Sequence, residues 1–324
     1  MARKFDAAVL HDFYIDRLVY SDSIEGMTKV IGNKGMEGGG GVHGVRQEDV
    51  RGGNAVNLAH ALARLGLRVL LITHSDPIHR AVLEQTFAGT KAEVRVKPLP
   101  AALTVAFEGE VNVMLGDGRG ASYFGPELLE RRDWRALENA KVVCSVNWSI
   151  NRKGTELLVA LREGLGPEKP IFMDPADFRD RIQEFRVLLR ALSRRRVVDW
   201  VSMNEQEAVA AAGLLGVAAG DLGEACRGLA RKLEVVFDLH GDGASYTSEG
   251  TRVTSRRIMP AKVRRLTGAG DVWDAGAIYG RIMGFDEPKR LEFANVAARL
   301  YLAGREPVPP TAREVLSRVR RSLL

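Results

Sequence analysis

Leu266-Thr267-Gly268-Ala269-Gly270-Asp271-Val272-Trp273-Asp274-Ala275-Gly276-Ala277-Ile278-Tyr279-Gly280 passes from a glycine turn directly into a stretch with helical spacing. Small side chains let backbone amides approach a bound group. The first turn of a helix leaves its N–H groups unpaired at the positive end of the dipole, so anionic oxygens are held there without a cationic side chain. Asp271 stands at the same helix start, where a carboxylate is favoured in its ionised form. A base beside an anion cradle is the arrangement that phosphoryl transfer to a hydroxyl needs. The competing reading makes Asp271 a simple N-terminal cap after a glycine turn.

Upstream, short apolar runs rich in β-branched residues recur at 7–10, 69–73, 142–146, 171–174, 197–203 and 235–239, with amphipathic helical stretches at 54–65, 154–162, 181–192 and 221–232. This alternation predicts an α/β fold with a mostly parallel central sheet and helices on both faces. Downstream, 270–283, 288–303 and 311–324 read as three helices. Two regions break the rhythm. Residues 13–53 are polar and glycine-rich, and 99–124 hold short alternating stretches that suggest antiparallel strands. Insertions at about 13–51 and 99–124 fit a small β-sheet lid on a single domain spanning 1–324, closing over the carboxyl ends of the main strands, where open α/β sheets hold their ligands.

Composition limits the function classes. The chain has 324 residues, 45% hydrophobic and 27% charged, with 34 Gly and 12 Pro, which fits a soluble globular protein and excludes collagenous or disordered chains. No run of eighteen apolar residues is present, and the charged N-terminus carries no signal-peptide pattern, so the expected compartment is the cytoplasm. Cys144 and Cys226 lie far apart; Cys144, in an apolar run, reads as a buried, inert thiol. The net charge of +6 comes mainly from 36 Arg against 11 Lys. A nucleic-acid footprint, an anionic substrate and an ion-pair-rich surface all compete to explain it. Arg194-Arg195-Arg196 has no interleaved aromatics and reads as a solvated turn, so no nucleic-acid partner is expected. Gly39-Gly40-Gly41-Val42-His43-Gly44 satisfies G-x-G-x-x-G formally, but no apolar strand precedes it and no carboxylate stands near position 64. It is therefore rejected as a dinucleotide site and read as a mobile loop.

A second segment, Gly52-Gly53-Asn54-Ala55-Val56-Asn57-Leu58-Ala59-His60-Ala61, opens a helix with two Gly and two Asn suited to sugar hydroxyls. Together the two segments resemble the paired signatures of the ribokinase-like (PfkB) carbohydrate kinases, archaeal-type sugar and nucleoside kinases included. The resemblance implies a three-layer ribokinase-like sandwich with a β-sheet lid. It also implies Mg2+ as cofactor, ATP or ADP as donor, and a homodimer through the lid. Residue by residue, it implies Asp271 as the catalytic base and the amides of Gly268, Ala269 and Gly270 as the anion hole. Asp16, Gly53, Asn54 and Asn57 would orient the acceptor. Asn204, His240, Gly241, Gly243, Thr267 and Asn295 would stand at the nucleotide, and Glu207 would hold magnesium through water. Arg265 stands where the family has an Asp that helps bind a monovalent cation, so no potassium requirement is expected. His11 replaces a typical glycine and reads as a packed histidine, and Trp273 stands where Phe is common.

His43, Arg46 and Arg51 approach the substrate helix in sequence, and their charge fits a sugar-phosphate acceptor, with a solvated lid loop as the alternative. Phe13, Tyr14, Phe107 and Tyr123 offer instead a wall for a nucleobase. The expected function is phosphoryl transfer to a pentose-based acceptor, a nucleoside or ribose 1-phosphate. The alternatives are a hexose or hexose phosphate such as fructose 6-phosphate, or a non-catalytic sensor on the same fold.

Overall fold

Phe5–His11 is buried along its whole length and forms β1, as a strand must when helices cover both faces of its sheet. Its side chains alternate between two cores: Ala7 and Val9 face one, Ala8 and Leu10 the other. The computed structural model describes residues 4–108, 112–218, 220–241, 243–249, 252–257, 263 and 267–322.

Along the chain follow β2 (Tyr14–Tyr20), β3 (Gln47–Gly52), β4 (Val69–His74), β5 (Ala92–Lys97), β6 (Ala102–Glu108), β7 (Asn112–Asp117), β8 (Ala140–Val146), β9 (Ile171–Asp174), β10 (Trp200–Asn204), β11 (Val236–His240), β12 (Ala244–Glu249) and β13 (Arg252–Arg257). The large sheet runs β13-β12-β11-β10-β9-β8-β1-β4-β5. Its strands are parallel from β5 to β11, and β12 and β13 add an antiparallel edge. Helices Asn54–Arg64, Ala269–Ile282 and Glu287–Ala303 pack on one face, and Gly154–Leu165, Ile182–Arg195 and Leu222–Leu233 on the other. The three-layer α/β expectation therefore holds.

The small sheet runs β3-β2-β6-β7. Its outer pairs are antiparallel, but β2 and β6 at its centre are parallel, so it is not the purely antiparallel unit that alternation suggested. Other elements differ from expectation for identifiable reasons. Ile24–Met36, inside the stretch assigned to the β lid, is a helix with no buried residue, so it lacks the apolar face that periodicity detects. The rejected glycine motif lies between this helix and β3, with neither a strand before it nor a helix after it. The run at 197–203 becomes strand only from Trp200, because Arg196 closes the preceding helix in a left-handed conformation (φ 45°). The hairpin β12–β13 is rich in Ser, Thr and Arg and carried no apolar signal. No helix among the described residues is long and apolar enough to cross a membrane.

Candidate active site

From β1 the chain steps outward to β4 and β5 on one side and to β8 through β11 on the other, so β1 and β8 flank a topological switch point. At the carboxyl ends of these strands opens a cleft of about 500 Å³, roofed by Tyr14, Asp16, Thr104, Met114 and Gly116 of the small sheet. A second cavity of similar size, around Trp200 and Arg281, lies at the opposite ends of the strands and contains none of the chemistry described below.

The floor of the cleft begins with Gly53, which has φ +98°; a Cβ there would lie 2.8 Å from the Asp12 carbonyl oxygen and 3.0 Å from Phe13 Cα. Only glycine fits. Immediately after it, the helix Asn54–Arg64 starts with its Asn54 and Ala55 amides donating to the Asp12 carboxylate at 2.9 Å each, and Asn147 Nδ2 donates to the same group at 2.9 Å. Asp12 thus pins the substrate-side helix to the end of β8. Asp16 is buried beside Gly52, where a Cβ would stand 2.0 Å from its Oδ2. Burial pushes the Asp16 carboxyl up to about 6, against a hydrogen bond from Thr104.

Across the cleft, Gly268 takes a left-handed conformation (φ +86°) and opens the helix Ala269–Ile282. Asp271 on its first turn lines the cleft and accepts a hydrogen bond from Asn57 Nδ2 at 2.9 Å, joining the two glycine segments. Burial, reinforced by the nearby Asp174 carboxylate, holds the Asp271 carboxyl well above the usual carboxylate range; Asn57 and Arg51 oppose this. One turn on, buried Asp274 accepts from Ser202 Oγ at 2.5 Å. Asp174 at the end of β9 stands beside it, and burial together with this second carboxyl holds the Asp274 carboxyl well above the usual carboxylate range. Asn147 (φ 56°) and Ala176 (φ 53°) hold left-handed conformations beside the cleft, backbone strain of the kind that gathers at functional sites.

Asn204 caps the helix Glu205–Leu215 reciprocally with Glu207: its Oδ1 accepts from the Glu207 amide at 3.0 Å, while its own N–H and Nδ2 donate to the Glu207 carboxylate at 3.0 and 2.7 Å. Burial, with Asp174 and Asp177 nearby, pushes the Glu207 carboxyl up to about 8. Carboxylates crowded in this way suit a hydrated divalent cation that relieves their repulsion. Among the described residues no group of three or more His, Cys, Asp or Glu is arranged to hold a metal ion directly.

The sign of the Glu207 shift gives a prediction. The folded state keeps this proton where the unfolded chain would release it, so its stabilising contribution is lost as pH rises through about 8. Buried His11, His60 and His74 and partly buried His240 are pushed down to between about 3 and about 4 and have finished titrating below neutrality. From about pH 6.5 to about pH 8 we expect Tm to fall, with no further slope from this group above that, and Glu207→Gln to flatten the fall. Identical slopes for the two proteins in a differential scanning series would contradict this.

At the other end of the cleft, His240 packs on Trp273 with ring centroids 4.9 Å apart, and Thr267 lines the wall. Gly241 lies against Glu205, and Gly243 faces open space. Asn295 is buried off the cleft; its Oδ1 accepts from Trp273 Nε1 at 2.8 Å, and its Nδ2 has no partner among the described residues. Arg265, and with it the expectation of no potassium requirement, lies outside the described residues.

Three sequence candidates take other places. His43 is on an exposed loop with its ring against Gly41. Arg46 is exposed, its guanidinium over the Tyr20 ring at 4.4 Å and 3.8 Å from Glu48. Neither reaches the cleft, because the segment before β3 turns outward. Arg51 does not line the main cleft; its guanidinium is held on Asn57 and His60 in a small adjoining pocket of about 80 Å³ that also includes Asp16 and Thr267. His11 is packed against Phe124, outside the cleft. Asp12, Asn147, Asp174 and Asp274 escaped the sequence reading; the one available signal was polar residues closing apolar strand runs, as Asp174 closes Ile171–Asp174.

The profile of the pfkB family carbohydrate kinases matches residues 25–309. No curated protein sequence matches this one. Ribokinase of Arabidopsis thaliana, solved with ribose and ATP, superposes with a TM-score of 0.77 at 18% identity, over 99% of each chain. Adenosine kinase of Sinorhizobium meliloti gives 0.79 at 20% identity, over 97% of this chain and 99% of that one. An E. coli protein described as a putative ribokinase II, solved with ATP and Mg2+, gives 0.74 at 14% identity, over 97% and 98%.

Proposed function

The chain belongs to the pfkB family of carbohydrate kinases, and from that premise we propose that it phosphorylates a hydroxyl of a neutral pentose-based acceptor, a nucleoside, with ATP as donor. The acceptor oxygen attacks the γ-phosphorus, the bond from that phosphorus to the bridging oxygen breaks, and ADP leaves with the electron pair. The proton goes to Asp271, whose Oδ2 is occupied by Asn57, so that Oδ1 is the receiving atom. Amides of Gly268, Ala269 and Gly270 face the charge spread over the migrating phosphoryl oxygens, a preorganised term available without side-chain movement. Asp16, Gly53, Asn54 and Asn57 orient the acceptor. Thr267, His240, Gly241 and Gly243 serve the nucleotide side, and Asn295, off the cleft, acts there only by holding the Trp273 indole on which His240 packs. Magnesium, when bound, neutralises phosphate charge, and Glu207 with Asn204 would hold it through water. Potassium is not required.

The observation that carries the choice of acceptor is the lining of the cleft. Among the described residues it contains no Lys or Arg but includes Asp16, Asp174, Asp177, Glu207 and Asp271. An acceptor already bearing a phosphate would find no cationic side chain in that lining to hold it. Tyr14, Met114 and Ile150 line the same cleft and give a base an apolar wall. A panel of nucleosides, ribose, ribose 1-phosphate and fructose 6-phosphate, each with Mg2+ and ATP or ADP, tests this. We expect kcat/KM for the best nucleoside with ATP to exceed that for either sugar phosphate by about tenfold or more. Preference for a sugar phosphate would reverse the assignment. The small sheet also serves as the surface between two copies, since its edge strand β7 exposes Val113, Met114 and Leu115. Sedimentation as a monomer at micromolar concentration would contradict that.

A further inference from the structure

Arg51 leaves the small sheet at the end of β3 and reaches the main body. Its Nη1 donates to Asn57 Oδ1 at 2.5 Å, its Nη2 lies 2.7 Å from His60 Nδ1 and donates to the Pro307 carbonyl at 3.3 Å. A guanidinium has donors only. The Asn57 atom facing it must therefore be the oxygen, which leaves Nδ2 as the only atom the amide can present to Asp271. For the same reason His60 Nδ1 must be the ring's acceptor, with the proton on Nε2; burial and Arg51 keep this ring neutral. Every member of the chain His60–Arg51–Asn57–Asp271 thus has its donor or acceptor role fixed by its neighbour.

We propose that Arg51 is a positioning residue for Asp271: by holding the Asn57 amide in one orientation it ties Asp271 Oδ2 and leaves Oδ1 turned to the acceptor hydroxyl. Arg51 belongs to a strand of the small sheet while Asn57, His60 and Asp271 belong to the main body, so the placement of that sheet and the orientation of the base are one event. This rests on the functional reading above, and it replaces the role in phosphate binding that proximity in sequence suggested for Arg51. The charged and polar groups that face Asp271 are Asp12, Asp174, Asp274, Arg51 and Asn57. Losing the cation and freeing the amide both move the Asp271 titration upward.

The test compares Arg51→Met, Arg51→Lys, Asn57→Ala and the double variant Arg51→Met/Asn57→Ala in the full chain. Arg51→Met is expected to lower kcat by about 10- to 100-fold, with little change in the nucleotide KM, and to shift the acidic limb of the kcat profile to higher pH. Arg51→Lys, which keeps the charge, should bring the limb most of the way back. At the pH-independent plateau of kcat the double variant should be no slower than Asn57→Ala alone, because the two residues orient Asp271 in series. If Arg51→Met does not melt cooperatively, the pH limb of Arg51→Lys against Asn57→Ala decides. Multiplying losses in the double variant would overturn the proposal, as would an unmoved limb, or a loss confined to the KM of phosphate-bearing acceptors. Wild-type protein inactive on every acceptor would instead remove the functional reading itself.

Discussion

Asp271→Asn should lower kcat by about a thousandfold, leave the nucleotide dissociation constant within a few-fold of wild type, and raise Tm at neutral pH. The three effects share one cause. Asp271 is buried among Asp12, Asp174 and Asp274, so its charge is costly to keep and its carboxyl is held well above the usual range. Asparagine has nearly the same shape but removes that charge, which relieves the folded state, and it cannot take a proton from an alcohol. The hydrogen bond to Asn57 survives if the new amide presents its oxygen, so the fold around the base is kept. A residue that only capped the helix would behave differently: asparagine caps about as well as aspartate, so neither Tm nor kcat would move much. Steady-state rates, calorimetric nucleotide binding and a melting curve on the same preparation separate the two accounts.

Gly53→Ala should lower kcat/KM for the acceptor by about 100-fold and destabilise the chain by about 2–3 kcal/mol. The added methyl would meet the Asp12 carbonyl oxygen and Phe13 Cα, and a φ of +98° is itself unfavourable for alanine. Backbone atoms at those distances cannot swing away as a flexible side chain can. The relief must come from a shift of the segment at Asp12, the residue that holds the Asn54 and Ala55 amides and Asn147 together. Asn57 sits one turn into the same helix, so the movement also reaches Asp271. Gly66, whose φ is +95° but whose Cβ position is open, provides the control: alanine there carries the backbone strain without displacing the site. Urea melts together with acceptor saturation curves read both effects. Equal acceptor kinetics in the two alanine variants would contradict this account of Gly53.

What the sequence disclosed follows from how far each signal extends along the chain. The alternation of apolar runs and amphipathic stretches is local, so the parallel sheet and the helices on its two faces were legible. The turn at Gly268 and the helix start at Gly53 were also legible, because each packs its chemistry into a few consecutive residues. The joining of the two was legible only through family resemblance, since Asn57 and Asp271 are brought together by folding. Asp12, Asn147 and Asp174 each stand alone in sequence and acquire meaning only where strand ends converge, and Asp274, one turn past Asp271, acquires it only when Asp174 is brought beside it. His43 and Arg46 erred the other way: nearness along the chain suggested nearness in space, but the loop before β3 points into solvent. Ile24–Met36 was hidden because a helix without a buried face leaves no apolar period to read.

The central claim is that the carboxylate of residue 271 receives the proton of the acceptor alcohol. Its most direct test is the pH dependence of single-turnover phosphoryl transfer at saturating acceptor and Mg–ATP, measured for wild type and for the residual activity of Asp271→Asn. The wild-type rate should climb with pH along a single ionisation lying above the ordinary carboxylate range, and that limb should be missing from the variant. A wild-type profile flat through this region, or the same limb in Asp271→Asn, would contradict the claim.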